Sequence, residues 1–594
     1  MLNLFYNYIY KYSDGDIMKN IFLKIKWFMK KEWKTYLLLL IMLILLAVLS
    51  LMPAYFLGQA IDTIVSGELT SATLLYLVGA LGLIPLIRYF MSFIYNYQIS
   101  KLAQKLSFEL RDKYLRHLFQ MDLSFYSKYE KGDLINRVTS DLEAITVAAT
   151  NLFEGIIFNF GLIIITLVLM IVTISWKLTL ISVTIMPIGL TILNMIRHRK
   201  RKYVLRHREI YAKMTEVVLE SVEGQKTIRA YGEENNDLKK QKEAIMNDIN
   251  SWGYIVNYEN WFAPLFEVIY GIAYVLAFAF GVYYIINSEI SLGDLVTFVS
   301  YIGMLYGPII AMSTIFTQIN NATISLDRYD EILNEKTEVI NTDDSKHIID
   351  FNVIRFENVT FKYPFDSKPV IKNINFEIKK GQTIGIVGPT GAGKSTLIRQ
   401  LLREFNVSDG DIYIDDSNIK EYRIDEVRNL VGYVPQAHTI FKREVVDNIR
   451  VGGPKATVEA LDKAVKIADF KKDLEFLERG LHTMVGESGS TLSGGQKQRL
   501  SIARALIKDP EILILDDSLS AVDAKTEDNI INDLKRFRRD KTNIIIAHRF
   551  SAVRDADIIL VLENGRITQR GTHEELLKED GWYKEQYINQ ITMI

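Results

Sequence analysis

Apolar residues fall along this 594-residue chain in two regimes. As far as about residue 320 they form long runs; beyond it they form short runs set among charged helices and glycine-punctuated turns. A helix needs about 20 apolar residues to cross the hydrocarbon core of a membrane. Six stretches meet that length: Tyr36 to Leu57, Ala72 to Tyr95, Phe153 to Ser175, Leu178 to Ile196, Phe262 to Ile286 and Leu292 to Phe316. Lysine and arginine crowd the N-terminal arm and the long segments Lys101 to Lys131 and Arg197 to Lys242. The short loops near Asp62 to Glu68, Trp176 to Lys177 and Asn287 to Glu289 carry almost none, so the positive-inside rule puts both chain ends in the cytoplasm.

The two long basic segments keep helical spacing, interleave both charge signs and hold almost no Gly or Pro, which predicts helices continuing well below the membrane. A polar stretch from Asn334 to Lys346 reads as a linker. After Phe351 come alternating strands at Val353 to Phe356 and Asn373 to Ile378, then fully apolar ones at Thr383 to Val387, Ile512 to Leu515 and Asn543 to Ala547. Continuous apolar strands separated by helices predict a parallel sheet covered on both faces. The expected domains are an arm with a basic amphipathic helix (1–34), a six-helix transmembrane domain (35–333), a linker (334–350) and an α/β domain (351–594).

Composition changes this picture little. Apolar content is 49% and net charge −1, which removes the basic excess expected of a nucleic-acid binder. The absence of cysteine excludes disulfides and thiolate chemistry. Met1 to Asp16 lacks the features of a signal peptide, and Met18 is an alternative start.

The chemistry enters at Thr383 to Val387, which runs into Gly388-Pro389-Thr390-Gly391-Ala392-Gly393-Lys394-Ser395, followed by Thr396. This is a complete phosphate-binding loop. Its glycines let successive N–H groups face one phosphate at a helix N-terminus; Lys394 reaches the β- and γ-phosphates and the Ser395 hydroxyl is placed for Mg²⁺. The apolar strand Ile512 to Leu515 ends in Asp516, the carboxylate that a metal–nucleotide site requires.

Between these lies Leu492-Ser493-Gly494-Gly495-Gln496, and here the chain resembles the ATP-binding cassette (ABC) family over nearly its whole length. The resemblance implies two cassettes sandwiching two ATP molecules, with Ser493, Gly494, Gly495 and Gln496 contacting nucleotide held mainly by a second subunit. Residue by residue, Tyr363 looks like the adenine-stacking aromatic, Gln436 like the glutamine that senses metal and water, His548 like the switch histidine at the γ-phosphate and Asp523 like the inter-site aspartate. Catalytic roles are thus implied for Asp517, Gln436 and His548, and metal contacts for Ser395, Gln436 and Asp516. Six spans fused ahead of the cassette resemble the exporter branch, whose two intracellular loops are matched by Phe125 to Leu134, continuing to Arg137 and Asp141, and by Glu220 to Tyr231. The fold expected is a six-helix transmembrane domain with long cytoplasmic extensions, fused to an α/β P-loop domain.

One departure stands out. Where the family has a glutamate as general base, this chain has Asp517. Aspartate is one methylene shorter, and a reach short by about 1 Å costs roughly 10²-fold in rate, so the chain's own site is expected to hydrolyse slowly. With an intact signature, this resembles the degenerate-site subunit of bacterial heterodimeric multidrug exporters in the plasma membrane. The alternative is a homodimeric lipid or peptide exporter. A second departure, Ser488 where exporters often carry Arg, supports no functional reading. Membrane-embedded charges usually face a cavity: Glu154 and Glu267 are candidates for holding a cationic amphiphile, Arg88 is a further intramembrane charge, and Tyr270, Tyr274, Phe298 and Tyr301 could stack on such a substrate.

Overall fold

The computed structural model describes residues 24–341, 344–364, 366–486 and 489–592. The arm before Lys24, with both candidate starts, and Ser488 lie outside the described residues. The chain divides into two compact units, one of residues 1–116 and 134–334, the other of residues 117–133 and 335–594.

The first unit is helical. Among the described residues, five helical runs are long and apolar enough to cross a membrane, by length and composition. They are Trp33–Val65, Ser71–Gln120, Lys131–Gly189, Glu234–Ile286 and Leu292–Ala311. The count differs from the six stretches in the sequence because Lys131–Gly189 holds the third stretch and the start of the fourth. They are separated at Ser175, whose extended backbone (φ −162°, ψ 121°) caps the helix Trp176–Val183 through its hydroxyl. Short π-helical segments lie at Arg137–Asp141, ahead of the third stretch, and at Phe153–Phe158 and Met170–Ser175, its two ends. Charged side chains hold the first of these in place: Arg137, buried, pairs with Glu331 at 2.8 Å, while Asp141 accepts from Ser325 at 2.9 Å and lies 3.3 Å from Arg328.

The basic segments are helical well beyond the apolar stretches. Ser71–Gln120 has 50 residues, about 75 Å at 1.5 Å per residue. Ile185–Glu223 and Glu234–Glu259 flank the short helix Gln225–Tyr231, which ends at Gly232 in the left-handed region (φ 70°).

In the second unit, β1 (Val353–Phe361), β2 (Ile371–Lys379), β4 (Asp409–Ile414) and β5 (Ser417–Asn418) form an antiparallel sheet in the order β2-β1-β4-β5. The central sheet runs β10-β9-β3-β8-β7-β6, from β3 (Thr383–Val387), β6 (Val431–Val434), β7 (Ile512–Asp516), β8 (Thr542–Ile546), β9 (Ile558–Glu563) and β10 (Arg566–Gly571). It is parallel except for the β9–β10 edge. Successive residues of β7 enter opposite cores: Ile512 and Ile514 join the cluster with Phe356 and Leu397, whereas Leu513 and Leu515 join that with Leu500 and Ile530. Ile544 and Ile545 of β8 divide the same way, so a strand with two buried faces reads as one apolar run.

Residues 117–133 belong to this unit through two carboxylates, Asp122 and Glu335, and through Leu123, which packs on its core. Asp122 caps the helix Leu123–Lys128 and accepts from the Thr337 hydroxyl (2.8 Å) and from the Glu338 (2.8 Å) and Val339 (3.3 Å) amides. Lys128 and Tyr129 add bonds to Glu335. Burial opposes ionisation of Asp122, yet these donors outweigh it and hold its carboxyl below the usual range. Asp122→Ala removes the cap and three further bonds; we expect a local loss of about 1–2 kcal/mol, read as faster amide hydrogen exchange confined to residues 122–129 and 336–340.

Candidate functional site

The end of β3 and the helix Lys394–Leu401 fix the phosphate loop. Gly388 (φ 148°) lies where a Cβ would stand 2.0 Å from the Leu562 carbonyl oxygen, and Gly393 (φ 98°) where one would stand 2.9 Å from Ile371 Cγ2. Only glycine fits both the backbone and the space. Gly391 is also left-handed (φ 80°), Ala392 is buried, and Thr390 is exposed on the loop. Lys394 is buried and donates to the carbonyls of Gly388 (2.8 Å) and Pro389 (3.0 Å), its amine held across the loop it would share with a nucleotide. Burial lowers its pKa, and Asp517 and Asp516 oppose that shift.

Asp516 is 1% exposed and has both oxygens engaged: one accepts from Ser395 Oγ at 2.7 Å, the other from the Tyr433 hydroxyl at 3.0 Å. Burial, with Asp516 alongside, pushes the Tyr433 phenol up. Among the described residues no cluster of three or more His, Cys, Asp or Glu could hold a metal. One carboxylate beside one hydroxyl instead fits Mg²⁺, which keeps waters and phosphate oxygens as its remaining ligands. Gln436 Nε2 donates to Asp517 Oδ2 at 3.2 Å, and Asp517 and His548 line one small cleft. Asp517 adopts a left-handed backbone (φ 47°), which aspartate tolerates better than most residues.

Tyr363 bonds through its hydroxyl to Thr396 Oγ1 (3.0 Å) and packs edge-on against Phe361 and Phe405, which sets its ring beside the first turn of the loop helix. Ser493 caps the helix Gly494–Leu506 in a reciprocal box: its hydroxyl accepts from the Gln496 amide, and its own amide donates to Gln496 Oε1 at 2.9 Å. Asp523 caps the helix Ala524–Phe537; its carboxyl, bonded by the hydroxyl and amide of Thr526, is held down at about 2.

Sequence reasoning missed several supporting residues. Tyr433 lies three residues ahead of Gln436 in the chain. Gln498 is 1% exposed and accepts from the Ala521 amide (3.2 Å), joining the signature helix to the loop before Asp523. Asp473 holds Arg499 bidentately, and Lys472 reaches Thr526. No local signal in the sequence identifies these partners.

In the first unit, Glu267 and Arg88 are exposed, and the Glu154 side chain lies outside the described residues. Phe298 and Tyr301 are buried packing residues, and the Tyr270 hydroxyl donates to the Ile302 carbonyl with its ring against Tyr274.

Family comparisons agree with this geometry. Residues 36–309 match the model for the ABC transporter transmembrane region, and residues 371–520 match that for ABC transporter. The probable multidrug resistance ABC transporter ATP-binding/permease protein YheI of Bacillus subtilis is 37% identical, covering 96% of this chain and 98% of that protein. The multidrug resistance-like ATP-binding protein MdlA of Escherichia coli is 32% identical over 96% of each. An ATP-dependent lipid A-core flippase of Pseudomonas aeruginosa is 31% identical, over 83% of this chain and 81% of that one. A solved bacterial Atm1-family ABC exporter with ATP bound superposes with a TM-score of 0.81 at 25% identity, covering 94% of this chain and 99% of the other. The chain belongs to the ABC transporter family, as a multi-pass exporter half in which a helical transmembrane domain is fused to an ATP-binding cassette related to those of multidrug exporters.

Proposed function

We propose that this chain is one subunit of a heterodimeric ATP-driven multidrug exporter of the bacterial plasma membrane, both termini cytoplasmic, and that its own nucleotide site is hydrolytically weak. The observation that carries the reading is Asp517, tethered to Gln436 beside His548 where a longer base would reach further into the site. Tyr363, the loop Gly388–Thr396 and Asp516 hold ATP. Ser395 and Asp516, with Gln436, would hold Mg²⁺, which would supply charge neutralisation at the phosphates. Ser493, Gly494, Gly495 and Gln496 present a capped helix N-terminus to nucleotide on the second subunit. Asp523 relays between the sites.

ATP drives transport only through its different affinity for two states. Closure of the cassettes moves the helix Leu123–Lys128, tied to Thr337 and Glu338 by Asp122, and with it the helices that open the cavity outward. Hydrolysis at the second subunit's site resets the cycle. A cationic amphiphile in that cavity meets Glu267, with Glu154 a second candidate.

The test is ATPase activity of the lone chain in lipid nanodiscs against that of the chain co-purified with a second ABC half-transporter that carries glutamate at the position of Asp517. We expect the pair to be at least about 10²-fold faster. Robust activity from the lone chain defeats the heterodimer reading and favours a homodimeric lipid or peptide exporter; a lipid A-core flippase is among the relatives.

A further inference from the structure

His548 stands two residues past the end of β8, and the four residues from His548 to Ser551 are gripped alternately from two sides. On one side the carboxamide of Gln590 bridges the backbone: Nε2 donates to the His548 carbonyl at 2.8 Å, and Oε1 accepts from the Phe550 amide at 3.3 Å. One side chain thus stands in for a neighbouring strand, satisfying a carbonyl and an amide two residues apart. On the other side Glu527, 1% exposed, accepts from Arg549 (2.9 Å) and from the Ser551 hydroxyl (2.6 Å), while Arg549 also donates to the Val522 carbonyl (3.2 Å).

Gln590 belongs to the helix Trp582–Thr592, which is itself firmly seated. Tyr583 is fully buried, with its hydroxyl 2.7 Å from His573 Nδ1. Phe550 is buried among Trp582, Tyr583 and Tyr587, edge-on to both tyrosines at 4.8 and 5.8 Å between ring centres. A seated helix, a bridging amide and a socketed Phe550 together fix where the backbone of His548 lies.

We infer that Gln590 is a positioning residue for the nucleotide reaction: it braces the His548 backbone so that the imidazole meets the terminal phosphate of ATP. The inference rests on the reading of His548 as the γ-phosphate contact. Such a brace acts on ATP and not on ADP, because ADP lacks the group that His548 reads. General loosening of the cassette weakens both nucleotides alike.

The experiment measures equilibrium affinities of ATP and ADP for the full-length chain in nanodiscs. Gln590→Met keeps the length of the side chain and removes both bonds. We expect ATP to bind about fivefold more weakly, with ADP unchanged within roughly twofold. Gln590→Glu keeps an acceptor for Phe550 but sets a carboxylate oxygen against the His548 carbonyl, so its effect on ATP is at least as large. Added to His548→Ala, Gln590→Met has no further effect, since both act on one contact. Equal weakening of ATP and ADP, or additive effects with His548→Ala, overturns the inference. If His548→Ala itself fails to separate ATP from ADP, the γ-phosphate reading falls and the inference with it. If His548→Ala separates them and Gln590→Met does not, only the inference falls.

Discussion

The Asp517→Glu chain, purified without a partner, is expected to cleave ATP about 10²-fold faster than the unaltered chain. Two copies of one chain already supply the phosphate loop, Asp516 and an intact signature, so a base of full reach is what the substitution adds. Asp517 Oδ2 accepts from Gln436 at 3.2 Å, and one further methylene carries the carboxylate outward from that tether toward the water it must activate. A cost opposes the gain. The left-handed backbone at position 517 (φ 47°) suits aspartate better than glutamate, a difference of about 1 kcal/mol that falls on stability and not on the barrier. Single-turnover cleavage of bound ATP, compared between Asp517, Asp517→Glu and Asp517→Asn, reads the effect. A glutamate variant no faster than the asparagine one would show that something other than reach disables the site.

In the proposed dimer the same loop would link that site to the other. Ser520 Oγ donates to the Asp517 carbonyl at 3.0 Å, and the Ala521 amide donates to Gln498 on the signature helix. Val522 accepts from Arg549, and Asp523 caps the next helix. Seven residues from Asp517 to Asp523 thus touch the hydrolytic carboxylate position, the signature helix and the switch loop. A single backbone path of this kind gives two nucleotide sites a physical route for coupling.

What could be read from the sequence follows from where each interaction lies along the chain. β3 appears in the structure with the bounds that the apolar run predicts, and β7 and β8 within a residue, because two buried faces leave no polar position inside a central strand. The phosphate loop was legible because its glycines, lysine and serine fall within eight consecutive positions, 388–395. The sequence puts the separation of the third and fourth stretches at Trp176 and Lys177, one residue after the break at Ser175, since a one-residue extended break leaves no Gly or Pro to mark it. The anchoring of residues 117–133 by Asp122 depends on amides more than 200 positions away, and the brace at Gln590 on a carbonyl 42 positions away. No local propensity encodes such partners.

Asp473→Ala is expected to lower the stability of the cassette unit by about 3–5 kcal/mol, the cost of leaving a buried charge without its partner. Arg499 donates to both oxygens of Asp473, at 2.6 and 2.7 Å, with the side chains 9% and 7% exposed. Little water can reach the guanidinium once the carboxylate is gone. The loss also reaches the chemistry, because a Cβ at Gly495 would stand 3.2 Å from an Arg499 nitrogen: the guanidinium lies against the signature glycine. A displaced Arg499 would therefore disturb the helix start that, in the proposed dimer, completes the second subunit's site. Replacing both members, Asp473→Leu with Arg499→Met, removes the stranded charge, and well-packed apolar pairs commonly match or exceed the ion pair they replace. Thermal unfolding should thus rank the double variant near the unaltered protein and Asp473→Ala far below it. The partner-site ATPase should stay impaired in the double variant if the guanidinium shapes the signature turn, and should recover with stability if its role is packing alone.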